Sequence, residues 1–256
     1  MFKMLISSLC LFILLGTSQS EELSADEILT LVMNQTYGLN HTFRLSIIKK
    51  QNSKPDKKQV INISFLWPKE GPYLRKSFVE TLEPKNLKGV RFWEHTYKES
   101  KLSKRWITLP VTGKLKDVTD KKPNKNEFNF SELELTQEII NNHTNTILEN
   151  TKIDGRPIIV IESIEKNNKK NSKKIWIDQE EYFIHKVEYF TKRGRKNKII
   201  EMHDLLKTDN ITFPRTIKIQ DLRKKISYSI SLSNIDLYPN YNLDDFNPDN
   251  VMYEKN

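Results

Sequence analysis

The chain predicts a mainly β fold, organised around one large antiparallel sheet that must curl or close. Three observations carry this reading. Short runs rich in β-branched and aromatic residues recur from Thr42 to Ile235, polar or Gly/Pro-containing stretches separate them, and several runs alternate apolar with polar side chains. The C-terminal half holds Ile158–Ile164, Lys173–Asp178, Tyr182–Phe190, Lys198–Leu206, Phe213–Gln220 and Ile226–Ile235 in succession. So many consecutive strands do not make a flat sheet. A curved sheet has an interior, and what it holds is the functional question.

The first twenty residues stand apart from that fold. Lys3 gives a positive start, Met4–Leu15 is apolar but short for a bilayer, and Ser18 and Ser20 place small residues before Glu21. This is the pattern of a secretory signal peptide cleaved after Ser20, leaving one domain over residues 21–256. Lipid attachment at Cys10 fits poorly, because Leu9 is a poor residue before a lipobox cysteine and the apolar run continues past it. Cys10 is the sole cysteine, so the domain has no disulfide, thiolate ligand or cysteine nucleophile. No other run approaches the ~18 apolar residues of a membrane-spanning helix.

Ser24-Ala25-Asp26-Glu27 is a capping box, and Ile28, Leu31 and Val32 follow at helical spacing, with Gly38 placed to close the helix. Strands come next at Thr42–Lys50, Val60–Trp67, Tyr73–Leu82 and Val90–Thr96, with Pro68, Gly71, Pro72, Pro84 and Gly89 between them. Phe43, Leu45 and Ile47 alternate with polar residues, as do Ile61, Ile63, Phe65 and Trp67, which gives each strand a dry and a wet face. Lys104–Val118 holds strand-like pieces around Pro110 and Gly113, and Asp120–Asn126 is a polar loop. A second capping box at Ser131–Glu134 predicts a short helix. Thr144–Lys152 and Arg156–Ile164 form a hairpin about Asp154-Gly155.

The net charge of +9 concentrates in Lys49–Lys58, Lys166–Lys174 and Lys192–Lys198, where strands are expected to turn. Solvated loop tips are the simplest account, with attraction to anionic lipid head groups or an acidic partner as the other. Nucleic acid is not an expected partner, since export works against it and the basic residues do not interleave with an aromatic platform. His41, His95, His143, His185 and His203 show no metal-ligand spacing, so no metal is expected. Gly-x-Ser-x-Gly and phosphate-binding Gly-rich loops are missing. Asp244-Asp245 and Glu180-Glu181 fall in turns, where paired acids are ordinarily solvated, and neither pair predicts a perturbed pKa. The chain reads as a non-enzyme without a cofactor. Asn-x-Ser/Thr sequons at Asn34, Asn40, Asn62, Asn129, Asn142 and Asn210 read as incidental to an Asn-rich composition.

Three segments carry a family resemblance. Arg105-Trp106-Ile107-Thr108-Leu109-Pro110, running on to Gly113-Lys114-Leu115-Lys116, resembles the Trp-x-x-x-Leu-Pro segment of the outer-membrane lipoprotein-sorting (LolA/LolB-like) family. Glu127-Phe128-Asn129-Phe130-Ser131-Glu132-Leu133-Glu134 resembles that family's acidic-aromatic stretch. Lys174-Ile175-Trp176-Ile177-Asp178 with Tyr182–Tyr189 and Gly194 resembles its paired late strands, and Phe213-Pro214-Arg215 and Leu243–Phe246 sit where its pattern expects them. The chain departs from the family at Lys125-Asn126, where Gly-Ser is usual, and at Thr108, where an aromatic is usual.

The resemblance implies an incomplete, half-open β-barrel with short plugging helices and a hydrophobic cavity. It implies a periplasmic carrier of lipid acyl chains or lipoproteins toward the outer membrane. Its partners would be an inner-membrane transporter or lipoprotein-release complex, with transient membrane contact. The expected lipid-binding residues are Phe43, Leu45, Ile47, Ile61, Ile63, Phe65, Phe78, Val90, Phe92, Ile175 and Ile177. Trp67, Trp93, Trp106 and Trp176 are expected at the cavity mouth, where an amphipathic ring suits a wet–apolar boundary. The alternative is a secreted β-domain with a filled core that binds a protein or polysaccharide on its outer face, through basic residues such as Lys169, Lys170, Lys173 and Lys174.

Overall fold

The computed structural model describes residues 22–52, 54–98, 103–121, 133–167, 171–208 and 211–250. The expected signal peptide, Lys169, Lys170 and the acidic-aromatic stretch up to Glu132 lie outside these residues.

Thirteen strands form one antiparallel sheet. β1 (His41–Gln51), β2 (Lys54–Leu66), β3 (Tyr73–Glu83), β4 (Arg91–Tyr97), β5 (Ser103–Thr108) and β6 (Leu115–Asp117) run outward from the middle to one edge. β7 (His143–Ile153), β8 (Arg156–Glu165), β9 (Asn171–Asp178), β10 (Ile184–Thr191), β11 (Lys196–Thr208), β12 (Ile211–Asp221) and β13 (Ile226–Asp236) run from the other edge back to the middle, where β13 pairs with β1. β6 and β7 remain edges, so the barrel is half-open. Neighbours within each half are joined by hairpins. One connection alone, from β6 to β7, must carry the chain from edge to edge.

Two helices sit with that crossing. α1 (Ala25–Asn34) begins on the expected capping box, with Ser24 accepting from Glu27 N–H and the Glu27 carboxylate accepting from Ser24 N–H at 2.8 Å. It ends at Asn34, earlier than Gly38 suggested, and Gly38 instead supplies the left-handed residue (φ 78°) of the following turn. α2 (Gln137–Asn141) starts at Thr136, whose hydroxyl accepts from Ile139 N–H, while Ser131 and Glu132 of the expected capping box lie outside the described residues. Ile28 and Leu29 of α1 and Ile140 of α2 are each 1% exposed, and they join Leu45, Ile61, Ile175 and Ile200 in a single apolar cluster. The core therefore lies between one face of the sheet and the two helices.

The expected strands are present, with one informative extension and one proline that a strand must accommodate. β2 begins at Lys54, so the Lys54–Lys58 part of the expected turn is paired in a ladder with Ile48 and Lys49 of β1. Backbone pairing needs no apolar side chain, which is why the lysines hid the strand. Pro214 sits inside β12 beyond the last residue paired to β13, Thr216, so its missing N–H costs no ladder bond on that side.

Candidate functional site

Residues directly opposite one another in an antiparallel pair share a face. The inner face can thus be read from the register. Across β13 to β8 one row runs Tyr228, Ile219, Ile200, Val187, Ile175, Ile161. A second row joins Ile47, Ile230, Ile217 and Met202, and a third joins Phe43, Ile63, Val79, Phe92 and Ile107 across β1 to β5. Together they make a continuous, mostly aliphatic floor; α1 and α2 share one buried cluster with its β1, β2 and β8–β13 part, and Phe92 and Ile107 lie outside that cluster. Among the expected lining residues, Leu45, Ile47, Ile61, Ile63, Ile175 and Ile177 are buried in that floor, with Phe43 and Phe65 packed against it. Phe92 shares the face by register, and Val90 immediately precedes β4, where its carbonyl accepts from Thr81 N–H.

Phe78 lies elsewhere. It faces Trp93 across β3 and β4 on the outer face, opposite to Val79 and Phe92. There the C-terminal segment covers it. Trp93 Nε1–H donates to the Asp245 carbonyl at 2.8 Å and His95 Nε2–H to the Phe246 carbonyl at 2.8 Å. Phe78 stands 6.4 Å from Phe246 and 5.5 Å from Trp93, ring to ring. Trp93 is 1% exposed beneath this strap, and Trp106 meets the His95 ring at 4.9 Å on the same face. Trp176 is also on the outer face, with Lys186 Nζ 3.8 Å from its ring centroid. Among the four tryptophans, Trp67 alone stands at the end of the inner face, 4.6 Å from Tyr37, with the Arg75 guanidinium 6.0 Å from its ring. Its buried Nε1–H has no acceptor among the described residues.

The two ends of the floor are polar. At the Trp67 end, Arg75 lies 3.2 Å from Glu134 and 3.9 Å from Glu94. Burial pushes the Glu94 carboxyl above the usual range, against the pull of Arg75. At the other end Ser163, Lys173, Tyr189 and Lys198 form a row. Lys173 has no hydrogen-bond or charge partner among the described residues, and its desolvation lowers its pKa. Lys174 faces the outer side with Glu162, so Lys173 and Lys174 do not share the outer surface that the alternative reading required.

The expectation that Glu180-Glu181 is a solvated pair needs correction at Glu181. Its carboxylate accepts from Thr212 Oγ1 at 2.6 Å and Lys207 Nζ at 3.0 Å, and pairs with Arg156 at 3.1 Å. The Thr212 and Lys207 hydrogen bonds lower its pKa to about 2, with Arg156 adding to them. The spacing in sequence concealed this, because Arg156, Lys207 and Thr212 arrive from three other strands. Asp178, 1% exposed on its side chain, accepts from Glu180 N–H and Glu181 N–H and binds Arg156 at 2.6 Å, with His185 3.4 Å away. This network is held ionised and ties strand ends together. Asp244 accepts from Asn250 on the exposed strap. No group of metal-ligating side chains occurs among the described residues.

Three solved structures resemble this architecture. A domain described as outer membrane lipoprotein-sorting, from Vibrio parahaemolyticus, is 18% identical, with a TM-score of 0.71 over 88% of this chain and 97% of that one. A DUF1329 family protein from Desulfovibrio piger is 12% identical, with a TM-score of 0.70 over 85% and 93%. A LolA superfamily protein from Nitrosomonas europaea is 14% identical, with a TM-score of 0.64 over 90% and 100%. The fold is LolA/LolB-like. Residues 74–252 match the model of a family described as "Uncharacterized protein". The chain belongs to that family. No curated protein matches the sequence. In the LolA/LolB-like frame the aliphatic floor is the inner wall of the half-barrel, and α1 and α2 are its plug. No helix among the described residues is long and apolar enough to cross a membrane.

Proposed function

We propose that the protein is a non-enzymatic carrier that takes lipid or lipoprotein acyl chains onto the inner face, in exchange for the α1–α2 plug, and passes them toward the outer membrane. The observation that carries this is the continuous aliphatic floor, covered by two short helices that contribute no strand to the sheet. The likeness in fold to a lipoprotein-sorting domain and a LolA superfamily protein supports it. Magnitudes favour a reversible exchange. A sixteen-carbon chain leaving water gains on the order of 12 kcal/mol. Exposing three fully buried side chains such as Ile28, Leu29 and Ile140 costs about 5–9 kcal/mol, and the partly buried Val32, Met33, Leu133 and Leu135 raise that further. Two opposing terms of similar size allow both capture and release.

A second reading has an observation of its own. The floor is covered by the plug, and two clefts on the described surface lie elsewhere: about 450 Å³ beside Lys50, Asp221 and Lys225, and about 600 Å³ beside Phe78, Trp93 and Asp245. A filled core suits a secreted domain that binds a protein or polysaccharide outside. Lipid extraction with mass analysis of the purified protein, and displacement of an apolar fluorescent probe by fatty acids, separates the two. Bound lipid or displaceable probe supports the carrier. A lipid-free protein indifferent to the probe leaves the outer-surface reading.

A further inference from the structure

The two ends of the sheet differ in charge, one basic and the other mixed. Strands of a meander reverse alternately at one end or the other, so every second turn shares an end. The turns β1–β2, β3–β4, β5–β6, β10–β11 and β12–β13 meet at one end. Gln51 pairs with Ile226, Lys58 bridges Glu83 at 2.9 Å, Gly89 abuts Pro110, and Leu222 N–H donates to the Asn197 carbonyl at 2.9 Å. The exposed side chains of these tips include Lys54, Lys192, Arg193, Arg223 and Lys225, none with an acidic partner among the described residues. The opposite end is mixed, with the engaged pair Asp178 and Glu181, the exposed Glu180 and Asp236, and the exposed Lys69, Lys98 and Lys152.

The basic tips also present apolar side chains outward. Leu87 is 41% exposed, Val111 96% and Leu222 45%, and lysine or arginine lies within three residues of each in the sequence. Isolated exposed apolar residues are ordinary. Three on turns of one end, set among cations without an acidic partner among the described residues, match the chemistry of a bilayer interface, where head groups attract the cations and the acyl boundary accepts the apolar tips. Tyr238 is exposed at the other end too, but Asp236 beside it opposes an anionic surface.

We infer that the protein docks on an anionic lipid surface through its basic turn end, with Leu87, Val111 and Leu222 entering the interface. Lys173 and Lys198 end the aliphatic floor on this same side, so docking would set that end of the inner face against the bilayer. Docking extends the carrier reading without depending on it, since these turns lie outside the floor.

Sedimentation of the full chain with phosphatidylcholine vesicles, with and without phosphatidylglycerol, tests the inference. Binding is expected only with the anionic lipid, and it weakens as salt shortens the screening length. Each basic residue near the surface contributes about fivefold, so R193E/R223E lowers binding more than about tenfold. V111D/L222D also weakens it, while E180Q/D236N at the opposite end leaves it intact. Failure to sediment with anionic vesicles, or equal binding by R193E/R223E, overturns the inference. Probe displacement on the same variants keeps the two proposals apart. Vesicle binding without probe uptake removes the carrier reading alone, and probe uptake without vesicle binding removes the docking alone.

Discussion

The inner and outer faces of this sheet are both apolar in part, yet they are finished by different chemistry. The inner face is aliphatic, running through Ile161, Ile175, Ile200, Ile219 and Ile230, and it is closed by helices that share no hydrogen-bond ladder with it. The outer face carries aromatic rings at Trp176 and around Phe78, Trp93 and Trp106, and over the latter group it is closed by a strap pinned through directional bonds to the Asp245 and Phe246 carbonyls. The helices hydrogen-bond to the β7–β8 edge, where Asn145 Nδ2 donates to Asp26 Oδ1 at 2.8 Å and Lys166 N–H to the Asn142 carbonyl at 2.9 Å, but their contact with the floor itself is non-directional and can be exchanged for another apolar body. A pinned cover leaves donors unsatisfied when it lifts, so it is suited to staying in place.

Substitutions at the two covers sharpen that contrast. The largest effect is expected from Trp93→Ala, which removes a fully buried ring and its bond to Asp245. It should cost about 3–5 kcal/mol in urea unfolding while the folded protein keeps its uptake of an apolar probe. If probe uptake falls in step, the two faces are not independent. Ile28→Ala should cost about 2–4 kcal/mol by the same measurement, but with faster or greater probe uptake, because it loosens the plug. Unchanged uptake in Ile28→Ala would argue that the plug never leaves.

Two smaller effects concern the polar ends. Glu181 has its folded pKa lowered to about 2, below its unfolded value, so its contribution is complete above about pH 4.5 and is lost as pH falls toward 2. Glu181→Gln should cost about 1–2 kcal/mol at neutral pH, reduced from the full linkage because Lys207 is well exposed, and should flatten the acid limb of a Tm-against-pH curve. Lys173 shares that pH slope but contributes with the opposite sign at neutral pH. Its folded pKa is lowered by burial, so the charged form is penalised at neutral pH, and stability rises as pH climbs through the folded pKa toward the unfolded value. Lys173→Met should raise Tm slightly at neutral pH, with the gain shrinking in alkali. A drop in Tm would show that the ammonium is satisfied on the inner face.

Much of the architecture was legible before any coordinates. Local rules suffice for a strand, a turn or a cap, and they located the C-terminal strands, the Asp154-Gly155 hairpin and the Ser24 capping box. They failed where the evidence was not local. Lysines masked the first turns of β2, and the partners of Glu181 come from Arg156, Lys207 and Thr212, distant along the chain.

The residues alone determined that alternating strands would form one curved sheet with unlike faces. Tertiary structure decided which face turns inward, that Phe78 and Trp93 belong to the other one, and that Ala25–Asn34 covers the first while Leu237–Asn250 covers the second. It also brought every second turn to a common end, converting scattered lysines into a charged surface. The physical reason is that alternation marks two faces without saying which is concave, and covers and ends are set by segments that meet only after the sheet has folded.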